Sequence, residues 1–292
     1  MQLLQALSKF ELQLQADGRS VHTIGQYRRH VRLLASWAAQ EGLSGELASL
    51  DHEDLAAFLV TPEARLRPDG REKTPTSVNA LRSSLRAFFA YATAVGWCEV
   101  NPARLIRRAR CGDPPPRGMN AADQGRLMGA LAAADGWVAR RDYALFAFML
   151  GTGVRVGAAV AMEVEDLDRE ACEALVRRTK GSRPRVVGLG AELGQHLEAW
   201  VGERRDGPLF PTRQGGRLTS RHVARRLAHW CEVAGMRRRV SPHGLRHTFG
   251  QALYERTGDV LVVQAALGHR SILSTLVYAH ADSGNAHYAG LR

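Results

Sequence analysis

Pro242-His243-Gly244-Leu245-Arg246-His247-Thr248-Phe249 concentrates polar chemistry within one predicted helix of the 292-residue chain. Pro242 suits the first position of a helix, where its missing N–H needs no intrahelical partner. On that helix His243 and Arg246 stand three apart and share one face. Leu245 and Phe249, four apart, share another face that points to a core. A cationic pair beside a buried stripe fits a phosphate site, and it also fits a basic face turned to solvent.

Three further spots flank this stretch. Gly151-Thr152-Gly153-Val154-Arg155 places an arginine just past a glycine-rich turn at a predicted helix start. Backbone N–H groups and a guanidinium converging there suit a phosphate. No Gly-Lys-Ser/Thr follows, so nucleoside triphosphate hydrolysis by a P-loop is not indicated. Lys180 sits on a predicted hairpin turn, Lys180-Gly181-Ser182-Arg183-Pro184. It is one of three lysines (Lys9, Lys73, Lys180) against 37 arginines, and lysine can release its proton during a reaction where arginine cannot. Leu267-Gly268-His269 ends a predicted helix, and Tyr278 follows nine residues later, ahead of Ala279-His280. Eleven histidines raise the question of metal binding, but the chain has no His-Glu-x-x-His and no carboxylate-rich cluster.

Charge points to the partner. Lys and Arg exceed Asp and Glu by 40 to 29, a net +11 with a sequence pI near 10.2. Residues 1–110 carry +4 of this and residues 111–292 carry +7, so both halves can face one polyanion. Hydrophobic residues at 45% and charged residues at 24% describe an ordinary globular chain, not a disordered or fibrous one. No run approaches the 18 or so apolar residues of a transmembrane helix, and no basic-then-apolar leader opens the sequence. Cys98, Cys111, Cys172 and Cys231 form no Cys-x-x-Cys pair, which argues against zinc and redox motifs and for a reducing cytosol. A cytoplasmic protein without a membrane partner is the expectation.

Periodicity divides the chain. Leu3, Leu7, Phe10 and Leu14 recur at helical spacing; Ser20 caps a second helix with Ile24, Tyr27, Val31, Leu34 and Trp37 on one side. Asp51 starts a short helix ending near Val60, residues 61–73 read as a loop, and a long helix aligns Val78, Leu81, Leu85, Phe88, Phe89 and Val95 before Gly96. Residues 1–106 thus form a helical bundle, and residues 107–118, with Arg107, Arg108, Arg110 and Pro114-Pro115-Pro116, form a basic extended linker. Residues 119–292 form a second domain with helices near 121–134, 139–151, 191–204, 219–235, 244–257, 259–267 and 271–279. Strand-like pieces lie at 164–167, 174–178 and 185–189. The fold class is mostly α, with one small antiparallel sheet in the second domain.

Taken in order, Arg155, Lys180, His243-x-x-Arg246, His269 and Tyr278 resemble the catalytic domain of the tyrosine recombinase (phage integrase-like) family. That family's pattern is Thr-Gly-x-Arg, a hairpin lysine, His-x-x-Arg-His-x-Phe, Leu-Gly-His, and a tyrosine nine residues on. The first domain resembles the family's helical core-binding domain, and Asn101-Pro102 before the linker is typical. The resemblance implies a site-specific recombinase that cleaves and rejoins double-stranded DNA through a 3′-phosphotyrosine, without ATP or metal and with no cofactor, as a homo-tetramer on synapsed sites. It implies Tyr278 as nucleophile, Arg155 and Arg246 as phosphate ligands and Lys180 as general acid. His243 would assist the tyrosine's proton transfer, and His269 would donate to a non-bridging oxygen. One departure stands out: Ala158 occupies a position where the family usually carries a carboxylate. Glu163, Glu165 or a water would then brace the Arg155 region. A relaxing activity like that of type IB topoisomerases, and a DNA-binding role on a cleavage-dead scaffold, are the alternatives.

Overall fold

The computed structural model describes residues 1–111, 118–177, 184–269 and 271–283. The chain divides into two compact units, Met1–Asp113 and Pro114–Arg292.

The first unit holds α1 (Leu3–Ala16), α2 (Val21–Gln40), α3 (His52–Val60), α4 (Pro62–Arg65) and α5 (Pro75–Ala94). Its helix starts are written locally. The Ser20 hydroxyl accepts from the Thr23 N–H to cap α2, and Asp51 and Asp54 form a reciprocal capping box on α3. Thr74 caps α5, with Pro75 in its first turn. The one-turn α4 falls inside the stretch expected to be loop, because Thr61-Pro62 supplies a cap and a preset φ. Phe10, Leu34, Phe58, Leu85, Phe88 and Phe89 fill the core, with the Phe10 ring edge-on to Phe88 at 5.6 Å. Val95 departs from the expected stripe: it is the C-cap of α5 and lies exposed, beyond the last helical turn. The buried Asn79 amide clasps Ala109 by both backbone groups, each bond 2.8 Å, so the start of the expected linker lies along α5.

The second unit is built around α7. Its helices are α6 (Ala121–Ala132), α7 (Trp137–Thr152), α8 (Val156–Ala159), α9 (Ala191–Val201), α10 (Ser220–Val233), α11 (Pro242–Thr257), α12 (Val260–Leu267) and α13 (Leu276–Ser283). Ala139, Ala144, Leu145, Phe146, Phe148 and Met149 bury several sides of α7, as expected of a central helix. It packs against α6, α9 and α11. The strands β1 (Leu167–Asp168), β2 (Glu173–Val176) and β3 (Arg185–Gly188) form an antiparallel sheet in that order, with Val176 opposite Arg185. Residues 164–166, expected as strand, turn as a 3₁₀ helix around the reciprocal cap of Glu163 and Asp166. The single helix expected over 271–279 is a 3₁₀ turn, Ile272–Ser274, followed by α13. All four cysteines are free thiols. Among the described residues no helix is long and apolar enough to cross a membrane.

Candidate active site

Two chain reversals frame the site, and Arg246 ties them together. α7 ends at Gly153 with φ +62°, and a Cβ there would stand 2.3 Å from Cδ1 of Phe249. Glycine is therefore required both for the left-handed turn and for the close approach. α12 ends at Gly268, also at φ +62°. Arg246, on α11 and 1% exposed, donates from Nη1 to the Gly153 carbonyl at 2.7 Å. Its Nη2 donates to the Leu267 carbonyl at 2.6 Å. Both acceptors lie at helix ends, where carbonyls lack intrahelical partners. Arg246 Nε is buried without a protein acceptor among the described residues.

Around this guanidinium stand the other expected residues. Arg155 occupies the N-cap position of the one-turn α8 and is exposed. His269 follows Gly268, and its Nδ1 lies 2.8 Å from the buried Thr275 hydroxyl. Tyr278, on α13, is 5% exposed and packs with Leu253, Val263 and Leu267. Its phenol oxygen lies 3.0 Å from His247 Nδ1. The slot exists because residue 250 is glycine: a Cβ there would fall 2.6 Å from the tyrosine Cζ. His243 is exposed and sets its ring edge-on to His247, centroids 4.6 Å apart.

The electrostatics are one-sided. Burial lowers the Arg246 pKa to about 10, and neighbouring Arg155 and Arg185 push the same way while Tyr278 opposes them. Burial, then Arg246, Arg155, His243 and His247, hold His269 at about 4, so it is neutral at pH 7. Burial raises the Tyr278 phenol and Arg246 draws it back. Among the described residues no carboxylate forms an ion pair with Arg155, Arg185 or Arg246. The expectation that Glu163 or Glu165 braces Arg155 is corrected here: Glu163 pairs with Arg217, and Glu165 is exposed. Ala158 is 4% exposed and belongs to the main core of the unit.

The fold thus gathers Arg155, His243, Arg246, His269 and Tyr278 into one cationic centre; Lys180 lies outside the described residues. Two members escaped the sequence. His247 is four residues from His243 and so on the same helical face, a spacing that was available. Arg185 is a half-buried cation on a strand; only the tertiary contact with α12 gives it meaning.

A cluster of cations with a tyrosine phenol beside it holds the kinds of group that covalent phosphoryl transfer uses. The model of the phage integrase family matches residues 119–284, and that of the phage integrase N-terminal SAM-like domain matches residues 7–96. The chain belongs to the phage integrase family, the tyrosine-type site-specific DNA recombinases. It is 33% identical over 268 residues to the tyrosine recombinase XerC of Xylella fastidiosa (strain M23), covering 91% of this chain and 88% of that one. To the tyrosine recombinase XerC of Pseudomonas aeruginosa PAO1 it is 34% identical over 269 residues, covering 90% and 85%. In fold it resembles the lambda integrase (75–356) dimer bound to a COC′ core site, with a TM-score of 0.74 at 21% identity, covering 94% of this chain and 97% of that one. It also resembles the XerH site-specific recombinase in a post-cleavage complex with palindromic difH substrate, with a TM-score of 0.74 at 22% identity, covering 92% and 79%.

Proposed function

We propose that this recombinase cuts and reseals duplex DNA through a 3′-phosphotyrosine on Tyr278. The observation that carries the reading is the Tyr278 phenol beside His247 and under the field of the carbonyl-anchored Arg246. The phenol oxygen attacks the scissile phosphorus in line. A phosphorus–Oη bond forms, the phosphorus–O5′ bond breaks, and the 5′-oxygen leaves as a hydroxyl. The 5′-hydroxyl of a second strand then reverses the step and completes exchange. Each phosphodiester is conserved in the protein–DNA bond, so the cycle is energetically neutral.

The residues divide the work. Arg155 and Arg246 stabilise the extra charge of the five-coordinate phosphorus. Arg246 is preorganised for this by its two carbonyls. A free phenol with pKa about 10 is ionised only about once in a thousand molecules at pH 7, a handicap of about 4 kcal/mol. Burial makes this worse for Tyr278, so the proton needs an acceptor: His247 is its immediate partner, with His243 edge-on to it. A neutral His269 whose Nδ1 accepts from Thr275 carries its hydrogen on Nε2 and donates it to a non-bridging oxygen. Lys180 protonates the leaving 5′-oxygen. Because Tyr278 is 5% exposed, its phenol leaves the Gly250 slot to reach an external phosphate.

Both basic units, with the domain division 1–106, 107–118 and 119–292, grip the same duplex, and a homo-tetramer on two synapsed sites performs exchange in the cytoplasm. The test uses nicked duplexes selected for binding from a random library. Wild-type protein forms an SDS-resistant DNA adduct and transfers label between two sites. Adduct with DNA relaxation but no transfer indicates a topoisomerase-like activity, and binding without adduct indicates a dead scaffold.

A further inference from the structure

Arg185 opens β3, and its side chain crosses to the far end of α12. Nη1 donates to the Ala266 carbonyl. The next carbonyl, that of Leu267, is the one held by Arg246. Two guanidiniums therefore occupy consecutive carbonyls at the C-terminal end of one helix, where cations are favoured. Past these carbonyls the chain turns at Gly268, where a Cβ would lie 3.7 Å from Arg185 Nη1, and then reaches His269. Arg185 thus stands at the same helix terminus that orients Arg246 and presents His269.

Among the described residues its charge has no carboxylate counterpart. Arg141 and Arg226, elsewhere in the unit, share the carboxylate of Asp142. Arg155, Arg185 and Arg246 share none among the described residues. Burial and the proximity of Arg155 both disfavour the charged form of Arg185. Simple packing against α12 needs no such charge, because an apolar residue of similar volume avoids both penalties. An uncompensated cationic cluster is instead complementary to an arriving anion. Arg185 has five N–H donors, of which the Ala266 carbonyl takes one.

We propose that Arg185 is a further phosphate-binding residue of the strand-cleavage site, contributing a third positive charge to the non-bridging oxygens of the scissile phosphate. This rests on the reading of the site as a strand-cleaving centre. Arg185, Arg155 and Arg246 surround the phosphate, and binding of DNA relieves the repulsion among them.

The test removes the same charge from either side. Arg185→Gln is compared with wild type in single-turnover adduct formation, on a nicked duplex with a normal scissile phosphate and on one with a methylphosphonate there. The methyl group replaces one non-bridging oxygen and its negative charge. On normal phosphate the variant is expected to lose about 100-fold in rate, the scale of one oxyanion donor, while binding DNA within about 3-fold of wild type. On methylphosphonate the loss shrinks to less than about 10-fold. An equal loss on both substrates, or no loss on the first, overturns the assignment and makes Arg185 a structural clip. If circular dichroism shows Arg185→Gln unfolded, Arg185→Met, which keeps most of the side chain's bulk without its charge, is put through the same comparison with the same criterion. Absence of a wild-type adduct on the normal substrate overturns the strand-cleavage reading itself and the Arg185 proposal with it.

Discussion

Gly250→Ala probes the slot that holds the nucleophile. At a helix interior the change alone favours folding by roughly 0.8–1.0 kcal/mol, because alanine loses less backbone entropy. Here the added Cβ falls 2.6 Å from Cζ and 2.9 Å from the phenol oxygen of Tyr278, so the ring must leave. Leaving exposes a tyrosine that is 5% accessible and breaks its 3.0 Å bond to His247. Lost burial amounts to about 1.5–3 kcal/mol and the hydrogen bond to about 0.5–1.5 kcal/mol. Subtracting the helix gain leaves a net destabilisation of about 1–3.7 kcal/mol. For a domain of this size that is a fall of about 2–4 °C in Tm per kcal/mol. Differential scanning calorimetry reads the shift, and tetranitromethane nitration of Tyr278 reads the exposure. Nitration should quicken as Tm drops, and cleavage should fall by less than about tenfold, since the slot is a resting position. A Gly250→Ala protein that melts higher than wild type with Tyr278 still protected would refute the packing argument.

Three other perturbations separate the parts of the site. Lys180→Arg keeps the charge but cannot give up a proton, so cleavage should fall about 100-fold or more. A 5′-bridging sulfur, which leaves without protonation, should restore most of the rate; no recovery reassigns the acid to His243. His30 and His269 are both held near pKa 4 in the folded chain, against about 6.5 unfolded. The unfolded state thus takes up protons first, and stability should drop as pH falls from about 6.5 to about 4, then level off. Urea unfolding of His30→Gln and His269→Gln across that window should show a shallower fall in each; an unchanged slope in both contradicts the burial argument. Ala158→Glu forces a longer, charged side chain into a core position that is 4% exposed. It should lower the Tm and leave cleavage no faster than wild type, whereas a faster variant would show that the missing carboxylate limits the site.

Local signals on the sequence proved sufficient where local physics decides. Ser20, Asp51 and Pro242 mark helix starts because capping involves neighbours a few residues apart. The order of Arg155, His243, Arg246, His269 and Tyr278 marks a candidate site because each lies at or beside a helix end or a helix face that the chain itself announces. What was not legible depends on distant contacts. The exposure of Val95 is settled by where α5 runs out, not by its period. Glu163 is engaged by Arg217, more than fifty residues away in sequence, and is therefore not free for Arg155. Arg185 reads as a strand cation until the carbonyl of Ala266 is found against it. The burial of Tyr278 follows from an absent side chain at Gly250, which no pattern of side chains can reveal.

The identity of the nucleophile is the central claim, and one modified residue decides it. Tyr278→Phe removes a single oxygen and leaves the ring in its slot. The variant should bind nicked duplex as wild type does and form no SDS-resistant adduct, while Tyr288→Phe still traps DNA. Mass spectrometry of the protease- and nuclease-digested wild-type adduct should find the 3′-phosphoryl group on Tyr278. Finding it on Tyr288, or finding undiminished trapping by Tyr278→Phe, would contradict the assignment and the arrangement of Arg246, His247 and His269 built around it.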